Sequence, residues 1–72
     1  MTYYIVELNI KNRQIRIIDY PYNRSDANER VVKMLERNND LYIIYAYWDE
    51  DQLITWFKSA LHNHPYDIHL PL

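Results

Sequence analysis

The sequence LYIIYAYW, at residues 41–48, has an apolar or aromatic side chain at every position. Runs of this kind, rich in β-branched and aromatic residues, are typical of a strand that is covered on both faces. A strand with one face in water would instead alternate apolar and polar residues. The segment therefore predicts a strand with packing elements on both of its faces.

A helix is predicted directly after this strand. Asp49 has the position of an N-cap, and Gln52 follows it at the three-residue spacing of a capping box. The apolar residues beyond them recur at helical spacing and predict a wide hydrophobic face. They are Leu53, Ile54, Trp56, Phe57, Ala60 and Leu61.

Another helix is predicted before the strand. Ser25 is a suitable N-cap, and the apolar residues after it follow the spacing of one helical face. These are Ala27, Val31, Met34 and Leu35, and the other side carries Asp26, Glu29, Arg30, Lys33, Glu36 and Arg37. Asn38 and Asn39 are predicted to end the helix in the role that Gly usually fills.

The first 20 residues predict a β-hairpin. Residues 3–10 alternate between two faces, and residues 15–20 are again mostly β-branched or aromatic. The polar residues 11–14 between them include Asn12, which tolerates a left-handed backbone. Pro21 ends the second strand because it cannot donate to a ladder of hydrogen bonds.

The element order ββαβα predicts an α+β fold formed by one domain at residues 1–61. A right-handed crossover through the first helix gives a three-stranded, mainly antiparallel sheet in the order 2-1-3. We expect both helices on one face of this sheet. The C-terminal tail, residues 62–72, either adds a short edge strand or docks as an extended segment.

Composition excludes several kinds of site. The 72 residues include no Cys and no Gly, so thiolate metal sites, cysteine nucleophiles, Walker loops and dinucleotide fingerprints are absent. The serines, Ser25 and Ser59, lie at a predicted helix start and inside a predicted helix, without the small residues that expose an activated hydroxyl. We therefore expect no enzymatic activity and no cofactor.

The location of the protein is predicted from its apolar segments. No stretch approaches about 18 uninterrupted apolar residues, and the first residues have no basic region before an apolar run. The abundance of Ile, Asn and Tyr, with eight Tyr, is typical of an AT-rich genome. We expect a cytoplasmic protein of a bacterium or of a phage-infected host cell.

Aromatic and acidic residues form the main candidate interface. A small domain with a Tyr-rich sheet face has a reason to bury that face, either in a homodimer or against another protein. The alternative is that the tyrosines only fill the sheet, and that the acidic run only caps a helix. The candidate interface comprises Tyr3, Tyr42, Tyr45, Tyr47, Trp48, Asp49, Glu50, Asp51 and Trp56.

Basic residues suggest a second candidate interface. Residues 1–37 hold seven basic against five acidic side chains, although the whole chain has a net charge of −2. The predicted hairpin and first helix would carry a nucleic-acid patch formed by Lys11, Arg13, Arg16, Arg30, Lys33 and Arg37. Acidic residues among the helical cations favour an ordinary solvated face instead.

Three histidines in the tail are weak candidates for metal binding. His62, His64 and His69 lie close together in sequence, but their spacing fits no established zinc pattern. The function that the sequence favours is therefore a small non-catalytic protein-binding module. We expect an inhibitor encoded by a phage or mobile element, in the manner of anti-CRISPR and other anti-defence proteins. A nucleic-acid-binding regulator is the alternative.

Overall fold

One mixed β-sheet organises the chain. The computed structural model describes residues 1–63 and 67–69, and the side chains of residues 1–59. In chain order the elements are β1 (Tyr4–Asn9), β2 (Gln14–Asp19), α1 (Arg24–Arg37), β3 (Ile43–Trp48), α2 (Glu50–Asn63) and β4 (Asp67–His69). The strand order is β3-β1-β2-β4. The predicted α+β fold and the antiparallel order 2-1-3 are confirmed.

The tail contributes the fourth strand. β4 pairs with β2 in parallel, with Ile15 opposite Ile68. The expected boundary after Leu61 lies inside α2, which continues to Asn63. Of the two predicted states of the tail, the structure therefore shows the edge strand.

Helix α2 packs on one face of the sheet. Its residue Leu53 is buried against Val6 and Ile17, and Phe57 packs on the same cluster. Val6 and Ile17 oppose each other in the register of β1 and β2, so they share a face. This face also carries Ala46, the partner of Val6 on β3.

Helix α1 packs on the other face. Its residue Arg30 bonds Asp19 at 2.7 Å, and Arg24 interacts with Tyr47. Asp19 and Tyr47 both oppose Ile5 in the register, and Ile5 points away from the face of its neighbour Val6. The expectation that both helices share one face therefore differs from the observed contacts.

The fourth strand explains this difference. Helix α1 connects β2 to β3, and α2 connects β3 to β4, so both helices join parallel strands. The two connections cross the sheet in opposite directions. Right-handed crossovers that run in opposite directions lie on opposite faces. As a result β3 contacts a helix on each face. The predicted run is only partly covered, because β3 begins at Ile43 and Leu41 and Tyr42 lie exposed before it.

The core lies on both sides of β1. Ile5 and Val6 are adjacent and fully buried, one on each face, and Ile15 of β2 is also fully buried. Ala27 and Val31 are the buried residues of α1. Because the central strand has buried side chains on both faces, small changes in its volume affect the packing of both helices.

The hairpin turn differs in one detail from the prediction. The left-handed residue is Arg13, with φ 55°, and not Asn12. The Asn12 N–H donates to Asn9 Oδ1 at 3.0 Å, which closes a local turn one residue earlier. Arg13 therefore occupies the position that Gly or Asn would fill at lower cost.

Both helix starts are capped by side chains. Asp49 Oδ1 accepts the Gln52 N–H at 2.8 Å, and Gln52 Oε1 accepts the Asp49 N–H at 3.1 Å, which confirms the capping box. Helix α1 is capped by Asn23, whose Oδ1 accepts the Asp26 N–H at 2.8 Å. The prediction of Ser25 as this cap is wrong, because the helix begins at Arg24 and Ser25 lies in its first turn.

Replacing Asn23 by Ala is expected to lower the free energy of unfolding by about 1 kcal/mol, because the first turn of α1 loses its acceptor. Ser25→Ala is the matched control and should change it by no more than about 0.5 kcal/mol. Urea denaturation followed by circular dichroism measures both values. Equal losses for the two variants would contradict the assignment of the cap.

Candidate functional site

Strand β3 lies at an edge of the sheet. The Ile10 N–H donates to the Tyr42 carbonyl at 2.8 Å, and the same register continues to the pair Tyr4 and Trp48. In an antiparallel ladder the bonded pairs alternate along the strand. Residues 42, 44, 46 and 48 therefore direct their backbone groups toward β1. Residues 43, 45 and 47 direct theirs toward the free edge.

Both ends of this free edge are closed by the chain itself. The Ile43 N–H donates to the Asp40 carbonyl at 3.3 Å, and the Ile43 carbonyl accepts from Asn38 Nδ2 at 3.0 Å. At the other end, the capping box uses the N–H of Asp49. Between these points, the outward N–H and C=O groups of Tyr45 and Tyr47 have no hydrogen-bond partner among the described residues.

Two tryptophans form an aromatic stack beside the end of β3. Trp48 and Trp56 have ring centroids 5.2 Å apart and an interplanar angle of 26°. Both are half-buried, and they line one open groove together with Asp51, Gln52, Thr55 and Ser59. Helix α2 places Trp56 here because the capping box fixes where the helix leaves β3.

The acidic residues divide by role. The half-buried Asp49 is the N-cap of α2, so its function is structural. Glu50 and Asp51 are exposed in the first turn and have no ion pair among the described residues. Carboxylates in the first turn interact favourably with the helix dipole, but Asp49 already caps α2, so Glu50 and Asp51 are not needed as caps. Asp51 lines the tryptophan groove, while Glu50 and Asp51 both line a second groove beside Tyr4.

Tyr3 and Tyr47 pack near the same end of β3. Their ring centroids lie 6.1 Å apart with an edge-to-face angle of 75°. Interaction with the Tyr47 hydroxyl raises the pKa of the Arg24 guanidinium. Sequence reasoning did not include Arg24 in the site. Its position in the first turn of α1 becomes informative only once α1 is known to start beside Tyr47.

Tyr42 and Tyr45 lie toward the opposite end of β3. The Tyr45 hydroxyl donates to Glu7 at 3.3 Å, and Glu7 also pairs with Arg16 at 3.4 Å. Burial raises the pKa of Tyr45, and the carboxylate of Glu7 raises it further. The exposed Tyr42 lies under Lys11, 5.6 Å from its ring centroid. The structure therefore divides the predicted aromatic set into two groups.

Ion pairs involve half of the predicted basic patch. Arg16 pairs with Glu7, Arg30 with Asp19, and Lys33 with Glu29 at 3.1 Å. Burial alone would raise the pKa of Asp19, but the Arg30 hydrogen bond, the Tyr20 N–H and the Arg30 charge lower it. The remaining members are Lys11, Arg13 and Arg37, which are exposed and have no ion pair in the described part of the chain.

The weak metal candidates lie outside the described side chains. Of His62, His64 and His69, the structure describes only the backbone of the first and the last, in α2 and β4. Among described residues there is no group of three potential metal ligands. Within the same residues, neither helix has the length and apolarity needed to cross a bilayer.

Comparison of the chain with known proteins finds no matching family model, no similar curated protein and no similar solved structure.

Proposed function

We propose that this protein is a non-catalytic protein-binding module that docks a basic surface of its partner on an acidic-aromatic surface. We define this surface as Trp48, Glu50, Asp51 and Trp56. The observation that carries the proposal is the tryptophan stack, which lines a groove together with an exposed carboxylate. Trp side chains are enriched among the residues that dominate binding energies.

The acidic-aromatic surface combines two properties that protein recognition uses. The stacked indoles supply a large rigid apolar area that loses little rotamer entropy on binding. The carboxylates of Glu50 and Asp51 lie beside it and are not engaged in ion pairs in the described part of the chain. A partner with Lys or Arg next to an apolar patch would therefore match it in both charge and shape.

Such a module acts by occluding or bridging its partner. In this proposal the protein works in the cytoplasm of a bacterium or an infected host, where it blocks a surface that the partner needs. The more specific role, that of an inhibitor encoded by a phage or mobile element, stays a prediction.

The alternative of a nucleic-acid-binding regulator has less support. Three of its six cations are held in ion pairs with Glu7, Asp19 and Glu29, which reduces the charge available for phosphates. Nucleic-acid affinity depends on how many phosphates the protein neutralises. The three remaining cations are too few for strong binding on this basis.

Replacing Trp56 by Ala is expected to reduce partner affinity by about 30-fold, the effect typical of a central aromatic contact. The partner is captured from host lysate with tagged wild-type protein, identified by mass spectrometry, purified and titrated by calorimetry. Ile54→Ala is the matched control on the same helix and should leave affinity within about twofold. A partner that binds the Trp56→Ala variant as tightly as wild type would contradict the proposal.

A further inference from the structure

We propose that a second copy of this chain pairs with β3 edge to edge, antiparallel, about a two-fold axis at Ala46. The pairing joins two four-stranded sheets into one sheet of eight strands. It goes beyond the proposed function and does not depend on it, because it uses the backbone edge of β3. A second copy is the expected partner because the outward backbone groups of that edge are symmetric about Ala46.

The free edge of β3 exposes the backbone groups of alternate residues over a short stretch. Among the described residues, the outward groups without a partner belong to Tyr45 and Tyr47, while the groups of Ile43 and Asp49 are already bonded within the chain. The edge is therefore symmetric about Ala46. In a two-fold antiparallel pair, Tyr45 would oppose Tyr47 of the partner subunit, and the reverse. In this arrangement the N–H and C=O groups of Tyr45 and Tyr47 on each copy all have a hydrogen-bond partner.

The register of this pairing also brings compatible side chains together. Ala46 would oppose itself as a non-bonded pair, where side chains come closest and a small residue fits. Ile44 is 42% exposed and would pack against Trp48 of the partner subunit. Asp49 would oppose Ile43 of the partner subunit, so like charges do not face each other across the strands.

Helix α1 has exposed apolar residues on the side that faces the free edge. Arg24 reaches Tyr47 on β3 and Arg30 reaches Asp19 on β2, which orients the helix across the sheet. At 100° per residue, Val32 and Leu35 lie on the Arg24 side, toward the free edge. Both are exposed apolar residues. A two-fold axis at Ala46 would bring α1 of each copy side by side on these residues.

Between its two closed ends, strand β3 lacks the prolines, charged side chains and bulges that often protect natural sheet edges. It has six residues with no Pro, no charged side chain and no bulge against β1. Proteins usually blunt such an edge, because it offers a template for pairing. A 72-residue chain gains further from the added burial, since a single small core gives only marginal stability. A second copy meets both needs.

Cysteine cross-linking tests the register directly, because the chain has no Cys of its own. Ala46→Cys should give a disulfide-linked dimer under mild oxidation, since Cα atoms of a non-bonded pair are about 4.5 Å apart. Ile44→Cys is the control. Its two copies would be roughly 14 Å apart, at four residues along the strand, and cannot be bridged. We expect at least about a tenfold difference in cross-linked yield.

Wild-type protein provides the second measurement, which does not depend on whether a variant folds. Light scattering should give a dimer, and the amides of Tyr45 and Tyr47 should be protected from hydrogen exchange as concentration rises. A monomer at all concentrations would overturn the proposal. A dimer in which these two amides exchange freely would overturn it as well, because it would use another surface. Trp48 belongs both to this pairing and to the acidic-aromatic surface, so binding of a foreign partner is measured separately with the Trp56→Ala variant.

Discussion

Replacing Ile5 by Ala is expected to lower the free energy of unfolding by about 2–5 kcal/mol, because it removes a fully buried side chain from the central strand. Ile5 lies on the face that α1 covers, opposite Tyr47 in β3. The cavity would therefore loosen the contact between the sheet and this helix. Small domains have total stabilities of roughly 5 kcal/mol, so the variant would be largely unfolded at moderate temperature.

The matched control is Ile10→Ala, the same substitution one residue beyond the end of β1. Ile10 is 47% exposed, so little apolar surface is lost and the expected change is within about 0.5 kcal/mol. Thermal and urea denaturation followed by circular dichroism measure both variants at one protein concentration. Similar losses in the free energy of unfolding for Ile5→Ala and Ile10→Ala would mean that α1 does not pack on Ile5 as described.

Sequence patterns predict the elements of this fold because local chemistry determines them. The apolar run before Trp48 and the capping spacing of Asp49 and Gln52 mark the β3 to α2 junction. The capping box appears as predicted, while the strand is shorter than the run and begins at Ile43. The cap of α1 was misplaced at Ser25 because Asn23 is an equally good capping residue two positions earlier. N-cap propensities do not distinguish Asn23 from Ser25, because the choice depends on where the chain leaves β2.

The placement of the helices depends on longer-range information. A three-stranded sheet permits both helices on one face, and only the parallel pairing of β4 with β2 requires opposite faces. That pairing joins Ile15 to Ile68, residues far apart in sequence. The same reason explains why the Tyr-rich face was expected to be open. Helix α1 in fact covers the part that carries Ile5 and Tyr47.

The candidate site was predicted in part. Aromatic and acidic residues around Trp48 were identified from composition and order, and the structure brings Trp48, Asp51 and Trp56 into one groove. Tyr45 does not join them, because the cross-strand register places its hydroxyl on Glu7. No sequence pattern shows which backbone groups of β3 face the free edge, because this depends on how β3 pairs with β1.

Reversing two acidic charges is expected to reduce partner affinity by at least about 100-fold, because like charges would then face each other at the interface. The variant is Glu50→Lys with Asp51→Lys. Both residues lie in the first turn of α2, where cations oppose the helix dipole by about 0.3–1 kcal/mol each. Circular dichroism must therefore show that the variant folds. Glu50→Gln with Asp51→Asn serves as a neutral control with an intermediate loss.

The opposite reversal separates the two candidate functions. Arg13→Glu with Arg37→Glu changes the net charge by the same amount and removes two cations that have no ion pair in the described part of the chain. A protein-binding module should keep its partner affinity within about threefold and show no affinity for duplex DNA or single-stranded RNA by fluorescence anisotropy. A nucleic-acid regulator would instead bind these probes with a steep salt dependence and lose that binding in this variant. A general electrostatic effect would weaken binding of a basic partner in the first variant and strengthen it in the second, so an unchanged partner affinity in the second variant excludes it.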